Sequence, residues 1–145
     1  MQGQNQDNGS LYKEISLPAG VQTIRTRQIP EVESAGDEGG TWLEMLPYYY
    51  RAVQSAVGGW QVEKIGYQFR MNATDNSFSD TITRNIVADG MGLDEALALM
   101  ENLEIEAIAA LPNRVRHDFL SRFGELAENH PAILRRKLGI QHGHA

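Results

Sequence analysis

Residues 93–111 read LDEALALMENLEIEAIAAL, and the period of this stretch decides the fold. Leu93, Leu97, Met100, Leu103, Ala107 and Leu111 recur at helical spacing and form one apolar face. Asp94, Glu95, Glu101, Glu104 and Glu106 fall largely outside that face. The pattern predicts an amphipathic helix with a break near Asn102, closed by Pro112. Upstream of Leu93 the dominant period is two. The chain therefore passes from a sheet to a helical segment, which is the pattern of an α+β protein.

Working towards the N-terminus, Thr81 to Val87 reads as a β-branched strand, and Asn72 to Ser77 as the polar turn before it. Trp60 and Val62 open a further strand whose face continues through Ile65, Tyr67, Phe69 and Met71. Alternation slips between Val62 and Ile65, and Gly66 beside the slip marks a bulge. In Thr41–Gly59, Thr41 and Glu44 have capping-box spacing and Pro47 suits a first helical position. Tyr49, Val53, Ala56 and Val57 share a stripe, and Gly58-Gly59 ends it, so an aromatic-rich helix is expected there. Residues 30–40 form an acidic, Gly-rich connector. Val21 to Ile29 and Leu11 to Leu17 are expected to pair as a hairpin across Pro18-Ala19-Gly20.

Downstream, Val115, Phe119, Phe123 and Leu126 form the apolar stripe of a second helix, with both phenylalanines placed in the core. A short third helix has Pro131 at its start, Arg135, Arg136 and Lys137 in its last turn, and Gly139 beyond. The expected fold is thus a mostly antiparallel sheet of about four strands, one aromatic-rich helix, and two or three C-terminal helices. A disordered arm over 1–10, a single domain over 11–140 and a frayed tail over 141–145 complete the layout.

Composition narrows the function classes. The chain of 145 residues has no cysteine, which excludes disulfides, thiolate metal sites and a cysteine nucleophile. Its net charge is −6, with 7 Lys/Arg against 16 Asp/Glu before residue 111 and 6 against 3 from there on. A net acidic chain lacks the broad cationic field of sequence-independent nucleic-acid binding, so nucleic acid is not an expected partner. Apolar runs such as Ala107 to Leu111 fall far short of the ~20 residues of a membrane span. A soluble protein in the cytoplasm is expected by elimination.

No chemistry motif stands out. Asp89 to Asp94 joins strand to helix but lacks the phosphate-binding glycine patterns, and its acids repel phosphate; it reads as a turn and N-cap. Asp75, Asp80 and Asp89, with Asn76, Ser77 and Ser79, are rich in oxygen without calcium-loop spacing, and turn chemistry accounts for them. His117 faces away from its helix's apolar stripe, His130 precedes Pro131 at a helix start, and His142 and His144 lie in the tail. A catalytic histidine requires the fold to bring one to a carboxylate or hydroxyl. No metal or cofactor is expected.

Trp42, Tyr48, Tyr49, Tyr50 and Trp60 are the interface candidates. Three consecutive tyrosines on a helix sweep roughly 200°, wider than the stripe that one sheet buries. Exposed Tyr and Trp combine large area with a polar tip, which suits interfaces. The expected function is a non-catalytic protein–protein interaction or assembly module, such as an adaptor or chaperone subunit of a larger assembly, phage-type assemblies included. Its partner is another protein or the chain itself as a homo-oligomer. The alternative is a small enzyme or ligand-binding domain with a pocket between sheet and helices, lined by Tyr67, Phe69 and nearby acids.

Overall fold

Three long strands dominate the computed structural model, which describes residues 23–32 and 35–139. The arm at 1–10, the strand expected at 11–17 and the tail at 141–145 lie outside the described residues. The elements are β1 (Ile24–Arg25), β2 (Ala35–Glu38), β3 (Thr41–Gln54), β4 (Trp60–Asn72), β5 (Ser77–Met91), α1 (Leu93–Ala109), α2 (Asn113–Phe123) and α3 (Pro131–Leu138). All pairings are antiparallel in the order β1-β3-β4-β5, and β2 shares the β1 edge of β3. The α+β class and the antiparallel sheet agree with the sequence reading, with five strands among the described residues in place of about four.

The aromatic-rich helix is corrected: Thr41–Gln54 is the strand β3. Its Trp, Tyr, Leu and Val residues suit a pleated surface, and pairing along β4 outweighs the local helix signals. Pro47 is tolerated because the β3–β4 register shifts between Leu46 and Tyr49, placing Pro47 and Tyr48 opposite Gly66 as a bulge. A Cβ on Gly66 would stand 2.9 Å from the Thr83 hydroxyl oxygen of β5, so a larger residue here would force Thr83 to shift, whereas the Tyr48 Cβ of the bulge at 3.7 Å would be in ordinary contact. The bulge expected at Gly66 is therefore carried by its neighbour. Gly58 and Gly59, at φ 103° and 75°, turn β3 into β4 instead of ending a helix.

The core lies on one face of the sheet. Ile24, Ile29, Tyr50, Ala52 and Val62 meet Leu93, Ala96, Leu97 and Met100 of α1 and Leu134 of α3. Each fully buried large aliphatic side chain here contributes roughly 1.5–3 kcal/mol. Glu95 accepts a hydrogen bond from the Gly92 amide at 3.0 Å and starts α1, which continues through Asn102 without the expected break. At the start of α3, His130 Nδ1 accepts from the Ala132 amide at 3.0 Å, and Gly139 ends the helix at φ 69°. Phe119 is buried but Phe123 is 60 % exposed, so only one of the two belongs to the core. Phe123 is the last residue of α2, beyond the turn that lies against Arg27.

Candidate functional site

Side chains alternate along a strand, so the register assigns each residue to a face. Tyr48, Tyr50, Ala52, Trp60 and Val62 point to the helix side. Burial pushes the Tyr48 hydroxyl up to about 12, with the neighbouring Tyr50 and Glu31 adding to the rise. Tyr48 and Tyr50 meet edge to face at 5.8 Å, and both pack in or against the core, as does Trp60. Of the five aromatic candidates, Trp42 and Tyr49 face the other way. The slip in alternation at Val62–Ile65 is a change of face: Ile65, Tyr67, Phe69 and Met71 share the side of Tyr49. Tyr67 and Phe69 therefore do not line a pocket between sheet and helices.

That second face is built in rows across the strands. Arg25, Arg51, Glu63 and Ile86 form one row, followed by Tyr49, Ile65 and Arg84. Leu46, Tyr67 and Ile82 come next, then Glu44, Phe69 and Asp80, and finally Trp42, Met71 and Phe78. Near β1 the face is closed by polar contacts. Glu63 is buried, and its carboxylate accepts from Arg51 at 2.8 Å and from Gln61 at 2.7 Å, with Arg84 at 3.7 Å. Arg25 lies 3.7 Å above the Tyr49 ring.

Towards β5 the face opens. Phe78 is 71 % exposed, Ile82 64 % and Ile86 57 %, with Trp42 and Met71 also exposed. All three β5 residues lie on one face of one strand, four positions apart. β5 is also the outer strand, and among the described residues nothing pairs with its far edge. It contains no Lys or Pro, two of the usual guards of a free edge. Sequence reading placed a strand at Thr81–Val87 and so missed Phe78. Alternation of Phe78, Ile82 and Ile86 with polar residues was the signal available.

The helical layer contains the other notable cluster. Arg27 grips Glu104 with Nε and Nη2 at 3.0 Å each, and its backbone N–H donates to the same carboxylate at 3.0 Å. His130 Nε2 lies 2.9 Å from both Glu104 oxygens. Burial alone would raise the Glu104 carboxyl, but the hydrogen bonds from His130 and Arg27 bring it down to about 2. The fold does bring a histidine to a carboxylate, yet this is not a catalytic pair. Nδ1 accepts from Ala132 and Nε2 donates to Glu104, so neither ring nitrogen is left for a substrate, and both side chains are about 2 % exposed. The cluster ties the β1 segment, α1 and the start of α3 together. Glu104 was expected outside the helix's apolar face, but its spacing from Leu97, Met100 and Ile108 places it among the buried residues.

Asp75 accepts from the Ser77 amide at 3.0 Å and hydroxyl at 2.7 Å, which is turn chemistry. Among the described residues no group of three or more His, Asp or Glu is placed to hold a metal ion. No described helix is long and apolar enough to cross a membrane. An open cleft of about 660 Å³ lies between the β1 segment and α2, with Pro30, Pro47, Val115, Phe119 and Phe123 among its walls and Arg25 at its rim. Neither family models, curated proteins nor solved structures give a match to this chain.

Proposed function

We propose that the chain is a non-catalytic protein–protein interaction or assembly module, an adaptor or chaperone-like subunit that binds through the open face and free edge of its sheet. One observation carries this reading: Phe78, Ile82 and Ile86 stand more than half exposed on one face of the outer strand β5, whose far edge is unpaired among the described residues. Monomers seldom leave several large apolar side chains exposed beside a free strand edge, because both invite pairing. The only buried histidine–carboxylate pair among the described residues is consumed by structure, which supports a non-catalytic role. The test is a photo-cross-linking side chain placed at Phe78 and, as control, at Ser79 on the opposite face, in the producing cell. Discrete protein adducts are expected from position 78 and none from 79. Equal labelling, or none at 78, overturns the reading.

The cleft beside α2 favours a second reading, a small-ligand domain, since its volume lies in the range of ligand pockets. Val115→Trp would fill it. Under the interaction reading this variant cross-links at Phe78 as before; under the ligand reading position 78 gives no discrete adducts in either the wild type or the variant.

A further inference from the structure

We infer that the partner of this surface is a second copy of the chain, with β5 pairing antiparallel to its counterpart about a two-fold axis at Ile82. The inference rests on the interaction reading above and names its occupant. A two-fold axis perpendicular to the sheet keeps each face continuous across the junction, so even-numbered β5 residues meet even-numbered ones. Centred on Ile82, the register sets Ile82 against its own copy, Phe78 against Ile86, and Asp80 against Arg84, twice by symmetry. Between Phe78 and Ile86 every apolar side chain on the open face meets an apolar one, and each of the two charges meets its opposite. On the other face Thr81 meets Thr83 and Ser79 meets Asn85, all polar.

Neighbouring registers lack this match. Moving the axis to Thr81 or Thr83 sets Asp80 or Arg84 against Ile82. Moving it to Asp80 or Arg84 puts two like charges face to face on the axis. Within one chain Asp80 and Arg84 sit four strand positions apart, about 13 Å, too far to pair. Arg84 remains 58 % exposed despite its approach to Glu63, and Asp80 has no ion pair among the described residues. A second copy supplies Asp80 with a cation, gives Arg84 a second carboxylate beside Glu63, and satisfies the outer backbone groups of β5.

The absence of cysteine makes the register directly readable. Directly opposed residues have Cα atoms about 4.5–5.5 Å apart, within disulfide range. Ile82→Cys is expected to form an intermolecular disulfide under mild oxidation. Ile86→Cys, whose copies lie eight positions or about 27 Å apart, is expected to form none. Light scattering should give twice the 16.2 kDa chain mass for the wild type and 16.2 kDa for Asp80→Arg, which faces Arg84 with a like charge. Mixing Asp80→Arg with Arg84→Asp should restore the doubled mass. Should Arg84→Asp fail to fold because Arg84 neighbours Glu63, the cysteine pair still decides. A wild type at 16.2 kDa, or equal cross-linking of both cysteine variants, overturns the inference. If that monomer still gives Phe78 adducts with a different protein, the interaction reading stands and only the self-pairing fails.

Discussion

The part of the sheet beneath the helices and the β5 end of its open face both carry large apolar side chains, and these end in opposite states. Tyr50 and Val62 on one side are at most 9 % exposed, whereas Phe78 and Ile82 on the other exceed 60 %. Composition does not separate them; covering does. α1 and α3 lie over the first face, and the Arg27–Glu104–His130 cluster locks that layer in place. The second face has its buried glutamate too, but Glu63 sits near β1, and the apolar side chains at the β5 end are left exposed.

The sharpest way to break this contrast is to cut the lock. Glu104→Ala leaves Arg27 and His130 facing each other without their acceptor, and should cost about 3–5 kcal/mol in a denaturant titration. A near-neutral result would mean that the helical layer is held by apolar packing alone. Phe119→Ala should cost a comparable ~3–5 kcal/mol, as buried aromatic truncations do. Phe123→Ala should cost about 1 kcal/mol, since this exposed ring contributes little beyond its contact with Phe119 at 6.1 Å. Equal costs for the two would place α2's outer turn in the core after all.

Acid probes the same lock more gently. The Glu104 carboxyl is held at about 2 in the folded chain, against an ordinary value of 4.5. Because the folded value is the lower one, its contribution to stability is complete above about pH 4.5 and is lost as pH falls towards 2. The gap in thermal midpoint between wild type and Glu104→Gln should therefore close over that window. A gap constant with pH would contradict the assignment. The smallest effect belongs to the open face: Phe78→Ser should change the stability of the dilute chain by no more than about 0.5 kcal/mol.

These contrasts also mark what a sequence can disclose. α1 was legible from Leu93 onward because one apolar stripe runs through four turns, and α3 because Pro131 and Gly139 bracket it. β3 was misread because Thr41, Glu44 and Gly58-Gly59 imitate helix start and stop signals, while the pairing that overrides them comes from β4. The tyrosine argument inherited that error: a strand divides Tyr48 and Tyr50 from Tyr49, where a helix would have fanned them. Glu104 looked like a solvated charge because its arginine lies 77 positions away in sequence and its histidine 26. Exposure of Phe78, Ile82 and Ile86 was beyond reach for a different reason. Their alternation is visible, but which face of a sheet the helices cover is a property of topology.

Hydrogen exchange on the intact chain at two concentrations tests the account most directly. The amides of α1 around Ala96–Met100 should exchange slowly at both, because the core that protects them lies within one chain. Outward-pointing amides of β5 between Phe78 and Ile86 should exchange rapidly when dilute and slowly when concentrated, as the second copy pairs with the free edge. β5 amides that exchange at the same rate at both concentrations would contradict the claim that the open side of this sheet is where copies of the chain meet.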